Sequence, residues 1–210
     1  MIILASMTKK QRLRDHIYQP VKSIIEQISV SLNEYNVTPI QLTLMGLLIT
    51  ILGCILYAHG HFGSGSWVII LAGMFDMLDG SVARGGNKTS KFGAFIDSVI
   101  DRYSDFFIFG SLAVYFSYTQ QPQYVTLALA VIAGSFLTSY TKARAESLIT
   151  KCDVGVVERP ERMIIICLGG LSGGIVPALW ILAFATHLTA LDRIYYTWRK
   201  TEGRSDAEAE

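Results

Sequence analysis

Cysteine is scarce in this chain, and so is any pattern that would put it to chemical use. The three present are Cys54, Cys152 and Cys167. None stands at CxxC or metal-finger spacing, and an odd count leaves no complete disulfide framework. They read as free thiols that fill space. Charge is also thin, at 17% of residues, and nearly balanced, with 18 Lys and Arg against 17 Asp and Glu for a net +1. No global basic field exists to hold a nucleic acid. A glycine-rich phosphate loop is missing too. The single glycine-serine alternation, Gly63-Ser-Gly-Ser66, follows no strand, so it is predicted to be a turn and cannot cradle a nucleotide. His59 and His61 stand at HxH spacing without a third ligand nearby, which predicts a solvent-exposed loop rather than a metal site. Residues 1–6 are apolar but lack a basic region before them and a long apolar stretch, so they do not read as a signal peptide. Met7, just before Thr8-Lys9-Lys10, is a second candidate start.

What the chain has in quantity is apolar length. Hydrophobic residues make up 51% of it and the mean hydropathy is +0.39, arranged in several runs of near-spanning length. That pattern points to a bilayer as solvent. Six spans are predicted, over residues 40–57, 67–83, 92–118, 124–141 (running on through Glu146), 162–174 and 177–198. Gly169, Gly170, Gly173 and Gly174 between the last two form two overlapping GxxxG pairs, suited either to close helix approach or to a plain loop. Ahead of the spans, Ile17, Val21, Ile24, Ile25 and Ile28 fall at helical spacing among polar residues. With Lys9, Lys10, Arg12 and Arg14 they suit an amphipathic helix on the membrane surface. Thr38-Pro39 reads as a helix start, with Thr38 as N-cap. The expected fold is therefore all-α and integral to the membrane. A cytoplasmic segment with the juxtamembrane helix covers residues 1–36, a six-helix domain covers 37–200, and a polar, disordered tail covers 201–210.

Charge placement orients the spans. The loops at 58–66 and 119–123 and the turn before Pro177 contain no Lys or Arg, so all 18 basic residues lie on the other side or at its boundary. The positive-inside rule then puts both termini and the loops at 84–91 and 142–162 in the cytoplasm, which an even number of spans allows.

Four carboxylates break the apolar pattern. Asp76, Asp79, Gly80, Ala83 and Arg84 share one helical face, and Gly93, Asp97 and Asp101 share another. A short loop joins the two helices as an antiparallel pair, so both acid pairs are expected at similar depth. Crowded carboxylates repel one another unless positive charge lies between them. With no His or Cys at matching positions, the donors suit a hard ion, Mg²⁺ or Mn²⁺, in a two-metal arrangement. Salt bridges of Asp101 with Arg102 or Arg84 would be the purely structural reading. Asp105 extends the same face, as a supporting residue or a partner for Arg102. A transporter that moves protons or divalent ions through the acids is the rival from another class. The acids' bias toward one end of their spans favours an enzyme open to the cytoplasm.

The run Asp76-x2-Asp79-Gly80-x2-Ala83-Arg84-x8-Gly93-x3-Asp97-x3-Asp101 resembles in full the signature of the CDP-alcohol phosphotransferases, with eight fixed positions across 26 residues. The resemblance implies six spans, a surface helix, a homodimer, and transfer of a lipid phosphate group from a CDP-linked lipid to an alcohol. It implies that Asp76, Asp79 and Asp97 hold the metals and that Asp101 joins them or acts as general base. Gly80, Ala83, Arg84 and Gly93 would line the CDP pocket, with Thr43 as a further nucleotide contact. The segments 139–146 and 158–162 are similar to those of prokaryotic phosphatidylinositol-phosphate synthases. By that likeness Ser139, Lys142, Arg162 and Arg193 would hold the phosphate of an inositol phosphate acceptor. A glycerol-3-phosphate acceptor, as in phosphatidylglycerolphosphate synthases, would need a phosphate site too. Arg193 lies among apolar neighbours, unlike Lys151, Arg199 and Arg204, which suit ordinary positive-inside residues. Arg144 and Arg159 can pair with Glu146, Glu158 or Glu161. The expected location is the cell (inner) membrane, with the active site cytoplasmic.

Overall fold

The structure is a computed structural model that describes residues 25–35, 37–86 and 89–202. Among these residues every regular element is helical and no strand occurs. Helix α1 covers residues 25–34. The others are α2 (Pro39–Ala58), α3 (Phe62–Gly85), α4 (Lys91–Tyr118), α5 (Pro122–Glu146), α6 (Arg159–Ser172) and α7 (Ile175–Thr201). Each of the six predicted spans coincides with one of α2 to α7. Of the juxtamembrane pattern, Ile25 is buried and Ile28 exposed. Lys9, Lys10, Arg12, Arg14, Ile17, Val21, Ile24 and the tail from residue 203 lie outside the described residues.

Helix ends follow local chemistry. At α2 the Gln41 N–H donates to Thr38 Oγ1 (3.4 Å) and the Thr38 N–H donates to Gln41 Oε1 (2.9 Å), a reciprocal cap with Pro39 in the first turn. At α6, Glu158 and Glu161 form the same kind of box on either side of Pro160. Gly173 ends α6 with φ +76°, a left-handed turn that a side chain resists, and Gly174 caps α7.

Packing corrects one expectation and divides another. Gly63-Ser-Gly-Ser66 is not a turn but the first turns of α3. Ser66 Oγ donates to Phe62 O (2.8 Å) and lies 2.8 Å from the Tyr57 hydroxyl. A methyl on Gly65 would collide with the Tyr57 ring, so the glycine admits a close helix contact. The four glycines near residue 170 divide their work. Gly169 and Gly170 are buried inside α6 and Gly170 faces Ser66, whereas Gly173 and Gly174 make the turn.

Among the described residues, four helices, α2, α3, α5 and α7, are long and apolar enough to cross a membrane. Helix α4 has 28 residues but carries Lys91, Asp97, Asp101, Arg102 and Asp105. Helix α6 has 14 residues, roughly 21 Å of helix against about 30 Å of hydrocarbon. The outer faces are apolar: Leu44, Leu48, Leu52 and Ile55 on α2, and Trp180, Ile181, Phe184, Leu188 and Leu191 on α7, are all exposed. Water would not tolerate so much apolar surface, and lipid does.

The described residues divide into two compact units, those up to Gly46 with those of 72–100, and Leu47–Leu71 with those from Asp101 onward. The first is centred on Ile25, Leu42, Leu78 and Val82. The second has a larger core that includes Tyr57, Ile108, Phe109, Leu112, Ile166, Leu179 and Leu182.

Candidate active site

In the first unit, α3 presents Asp76 and Asp79 one turn apart, and α4 presents Asp97. Carboxylate oxygens of Asp76 and Asp97 lie within 4.8 Å of each other, close enough for one ion with oxygen bonds of about 2.0–2.6 Å to share them. Asp79 is buried, and its Oδ2 accepts a 2.6 Å hydrogen bond from the buried Thr43 hydroxyl. That hydroxyl also lies 3.0 Å from Pro39 O. With one proton to give, it favours the charged acceptor, where the bond is shorter and stronger. The donor set is all carboxylate oxygen and fits a hard divalent cation, not zinc.

A cavity of about 200 Å³ opens beside these acids, lined by Thr43, Asp79, Gly80, Ala83, Arg84, Gly93 and Asp97 among others. It thus brings together every residue expected at the nucleotide. The Arg84 guanidinium folds back over Gly80, where a Cβ would come within 3.2 Å of it. The Gly93 N–H donates to Ser90 Oγ (2.9 Å), which caps the start of α4. Thr43 lines this cavity while its hydroxyl is engaged with the Asp79 carboxylate.

Asp101, one turn beyond Asp97 on α4, belongs to the second unit. Its Oδ1 is 2.8 Å from Arg159 Nη1 and its Oδ2 is 3.9 Å from Arg102 Nη1. It lines a cavity of about 270 Å³ with Ser139, Lys142, Glu158, Arg159, Arg162 and Arg193. All four residues expected to hold an acceptor phosphate are therefore in one cavity. The two deepest cations are pinned by the protein. Arg162 donates to Asp105 Oδ2 (2.6 Å) and Thr138 Oγ1 (3.3 Å). Arg193 donates to Val154 O (2.9 Å), Thr138 O (2.6 Å) and Glu158 Oε1 (3.2 Å). Lys142 reaches the same Glu158 oxygen at 3.0 Å. Burying Arg162 and Arg193 to 2% and 3% exposure is tolerable only because each has an anion and further acceptors.

Several partners differ from expectation. Asp105 pairs with Arg162 rather than Arg102. Arg159 pairs with Asp101 and approaches Asp105 (3.9 Å) rather than joining a nearby glutamate. Arg144 donates to Ser147 Oγ. As expected, His59 and His61 are exposed between α2 and α3, where the His59 ring bonds the carbonyl of Ile55. Thr138 and Thr189 were not foreseen. The Thr189 hydroxyl accepts from the N–H groups of Val156 and Val157 (3.0 and 3.1 Å), tying the loop before α6 to α7. Thr189 precedes Arg193, and Thr138 precedes Lys142, by one helical turn, a spacing from which both could have been found.

The family model described as CDP-alcohol phosphatidyltransferase matches residues 36–191. This chain belongs to that family. A phosphatidylinositol phosphate synthase of Corynebacterium glutamicum is 36% identical over 191 residues, covering 85% of this chain and 86% of the relative. The crystal structure of Mycobacterium tuberculosis phosphatidylinositol phosphate synthase with CDP-DAG bound is similar at a TM-score of 0.78 and 30% identity, over 84% of this chain and 94% of that one. The same enzyme in complex with manganese and citrate gives 0.76 and 31%, over 83% and 88%. This CDP-alcohol phosphatidyltransferase is thus a metal-dependent membrane enzyme of phospholipid biosynthesis. Membership removes the transporter reading.

Proposed function

We infer that this enzyme transfers the phosphatidyl group of CDP-diacylglycerol to a hydroxyl of inositol phosphate, giving phosphatidylinositol phosphate and CMP. The observation that carries the acceptor is the second-unit cavity, where Lys142, Arg159, Arg162 and Arg193 converge with Ser139. A phosphate dianion uses several cations, and an uncharged polyol has no use for them. The named relatives act in the same sense.

The donor is held by the first unit. Arg84 binds its phosphates, and Gly80, Ala83 and Gly93 leave room for the nucleotide. Asp76, Asp79, Asp97 and Asp101 would hold the divalent ions, with Thr43 orienting Asp79. When bound, these ions neutralise the pyrophosphate and stabilise the leaving CMP oxygen. Ser139, Lys142, Arg162 and Arg193 hold the acceptor phosphate. Asp101 accepts the proton of the acceptor hydroxyl as its oxygen bonds to the β-phosphorus and the bond to CMP breaks. Arg159, 2.8 Å away, fixes the direction of that carboxylate.

The topology that fits is six spans over residues 37–200, with an amphipathic segment before them and a polar tail after. Loops without Lys or Arg at 58–66, 119–123 and before Pro177 support the cell membrane with both termini and both cavities cytoplasmic. Homodimer formation rests on the family resemblance alone.

The test is CMP release from CDP-diacylglycerol with Mg²⁺ or Mn²⁺, comparing inositol 1-phosphate, glycerol 3-phosphate, inositol and serine. Release with inositol phosphate, lost in Asp101→Asn, is expected. Release with glycerol 3-phosphate instead would keep the mechanism and overturn the acceptor.

A further inference from the structure

One acid in the cationic cavity has no part in the transfer. Glu158 places Oε1 3.0 Å from Lys142 Nζ and 3.2 Å from Arg193 Nη2. Both cations are among those assigned to the acceptor phosphate, so a carboxylate oxygen lies where a phosphate oxygen would bind. The three groups differ in freedom. Arg193 is 3% exposed in its side chain and is held by the carbonyls of Val154 and Thr138 whether or not Glu158 is there. The side chains of Lys142 and Glu158 are 35% and 52% exposed. Glu158 is therefore not needed to orient Arg193, and it is the member best placed to swing into solvent.

Resting on the reading of this cavity as the acceptor site, we propose that Glu158 is a resident anion that occupies the phosphate subsite and sets its affinity. The acceptor enters by exchanging its own phosphate for the Glu158 carboxylate. The exposed Lys142–Glu158 pair is weak, whereas a dianion reaching the same Nζ and Nη2 forms charge-assisted bonds to both. The exchange therefore favours the phosphate. It also gives both cations an anionic partner between turnovers and offsets one of their two charges. A neutral polyol brings no charge to the exchange and leaves Glu158 in place.

Glu158→Gln retains an acceptor for the cap of α6 and removes the charge. Glu161→Gln alters the same capping box without touching the cavity cations. Purified wild type and both variants would be titrated with inorganic phosphate, without CDP-lipid, while the unfolding midpoint is followed. KM for inositol 1-phosphate would be measured in parallel by CMP release. For Glu158→Gln both the half-stabilising phosphate concentration and KM fall, by about two- to fivefold, and neither moves in Glu161→Gln. Unchanged or raised values in Glu158→Gln would overturn the proposal and make Glu158 a fixed support for Lys142. Tighter phosphate binding in Glu158→Gln, with no CMP release on inositol phosphate in the wild type, would support the resident anion and overturn the acceptor reading alone.

Discussion

Replacing Thr43 by valine separates two roles for one hydroxyl. The family resemblance implies a nucleotide contact, but the structure commits the hydroxyl to Asp79 at 2.6 Å, with both residues buried. Valine keeps the branched shape and leaves Asp79 Oδ2 without its donor. A hydrogen bond to a charged group is worth roughly 1.5–3 kcal/mol. Partners that orient metal ligands typically change affinity by about 10- to 100-fold. The concentration of Mg²⁺ or Mn²⁺ that half-activates CMP release should therefore rise by about that factor in Thr43→Val, with rate recovered at high metal. Thr43→Ser retains the donor and should stay within about threefold of wild type. Direct Mn²⁺ titration by electron paramagnetic resonance, without substrate, checks the same quantity. An unchanged metal dependence together with a raised KM for CDP-diacylglycerol would refute the reasoning and return Thr43 to the nucleotide.

Two further predictions concern stability. Asp105→Asn leaves the buried Arg162 guanidinium without its counter-charge. Breaking such a pair costs about 3–5 kcal/mol, and the low end applies because asparagine can still accept one bond. At about 2–4 °C per kcal/mol for a chain of this size, the unfolding midpoint in detergent should drop by roughly 6–12 °C. A wild-type midpoint would show that the pair contributes nothing. Gly170→Ala puts a methyl against Ser66 Oγ and Phe62 O and should lower stability by about 1–3 kcal/mol. Gly63→Ala meets nothing within 4 Å and should be neutral or stabilising by up to about 1 kcal/mol. Equal midpoints for the two glycine variants would refute the packing account.

The helices and the first-unit site were legible in the sequence for a local reason. Asp76, Asp79, Gly80, Ala83 and Arg84 share a face because 3.6 residues make a turn, and the short connection to Gly93 and Asp97 brings the second face alongside. The apolar runs that became α2, α3, α5 and α7 declared themselves by length. Gly63-Ser-Gly-Ser66 misled because these residues favour turns when considered alone, and only the Tyr57 ring and Gly170 explain why they are helical. The partners of the arginines were also out of reach. Arg162 meets Asp105 across 57 positions and Arg193 meets Glu158 across 35, and no periodicity links such pairs.

What the sequence determined by itself is the set of helices, the apolar character that commits them to lipid, and the eight-position acidic signature with its chemistry. These depend on spacing within a turn and on composition, both properties of neighbouring residues. Tertiary structure decided which cation meets which anion. It placed Thr43 on Asp79, Arg159 on Asp101, Arg162 on Asp105, and Glu158 between Lys142 and Arg193. A buried charge must find its partner in three dimensions, and packing between distant segments, not spacing along the chain, supplies it.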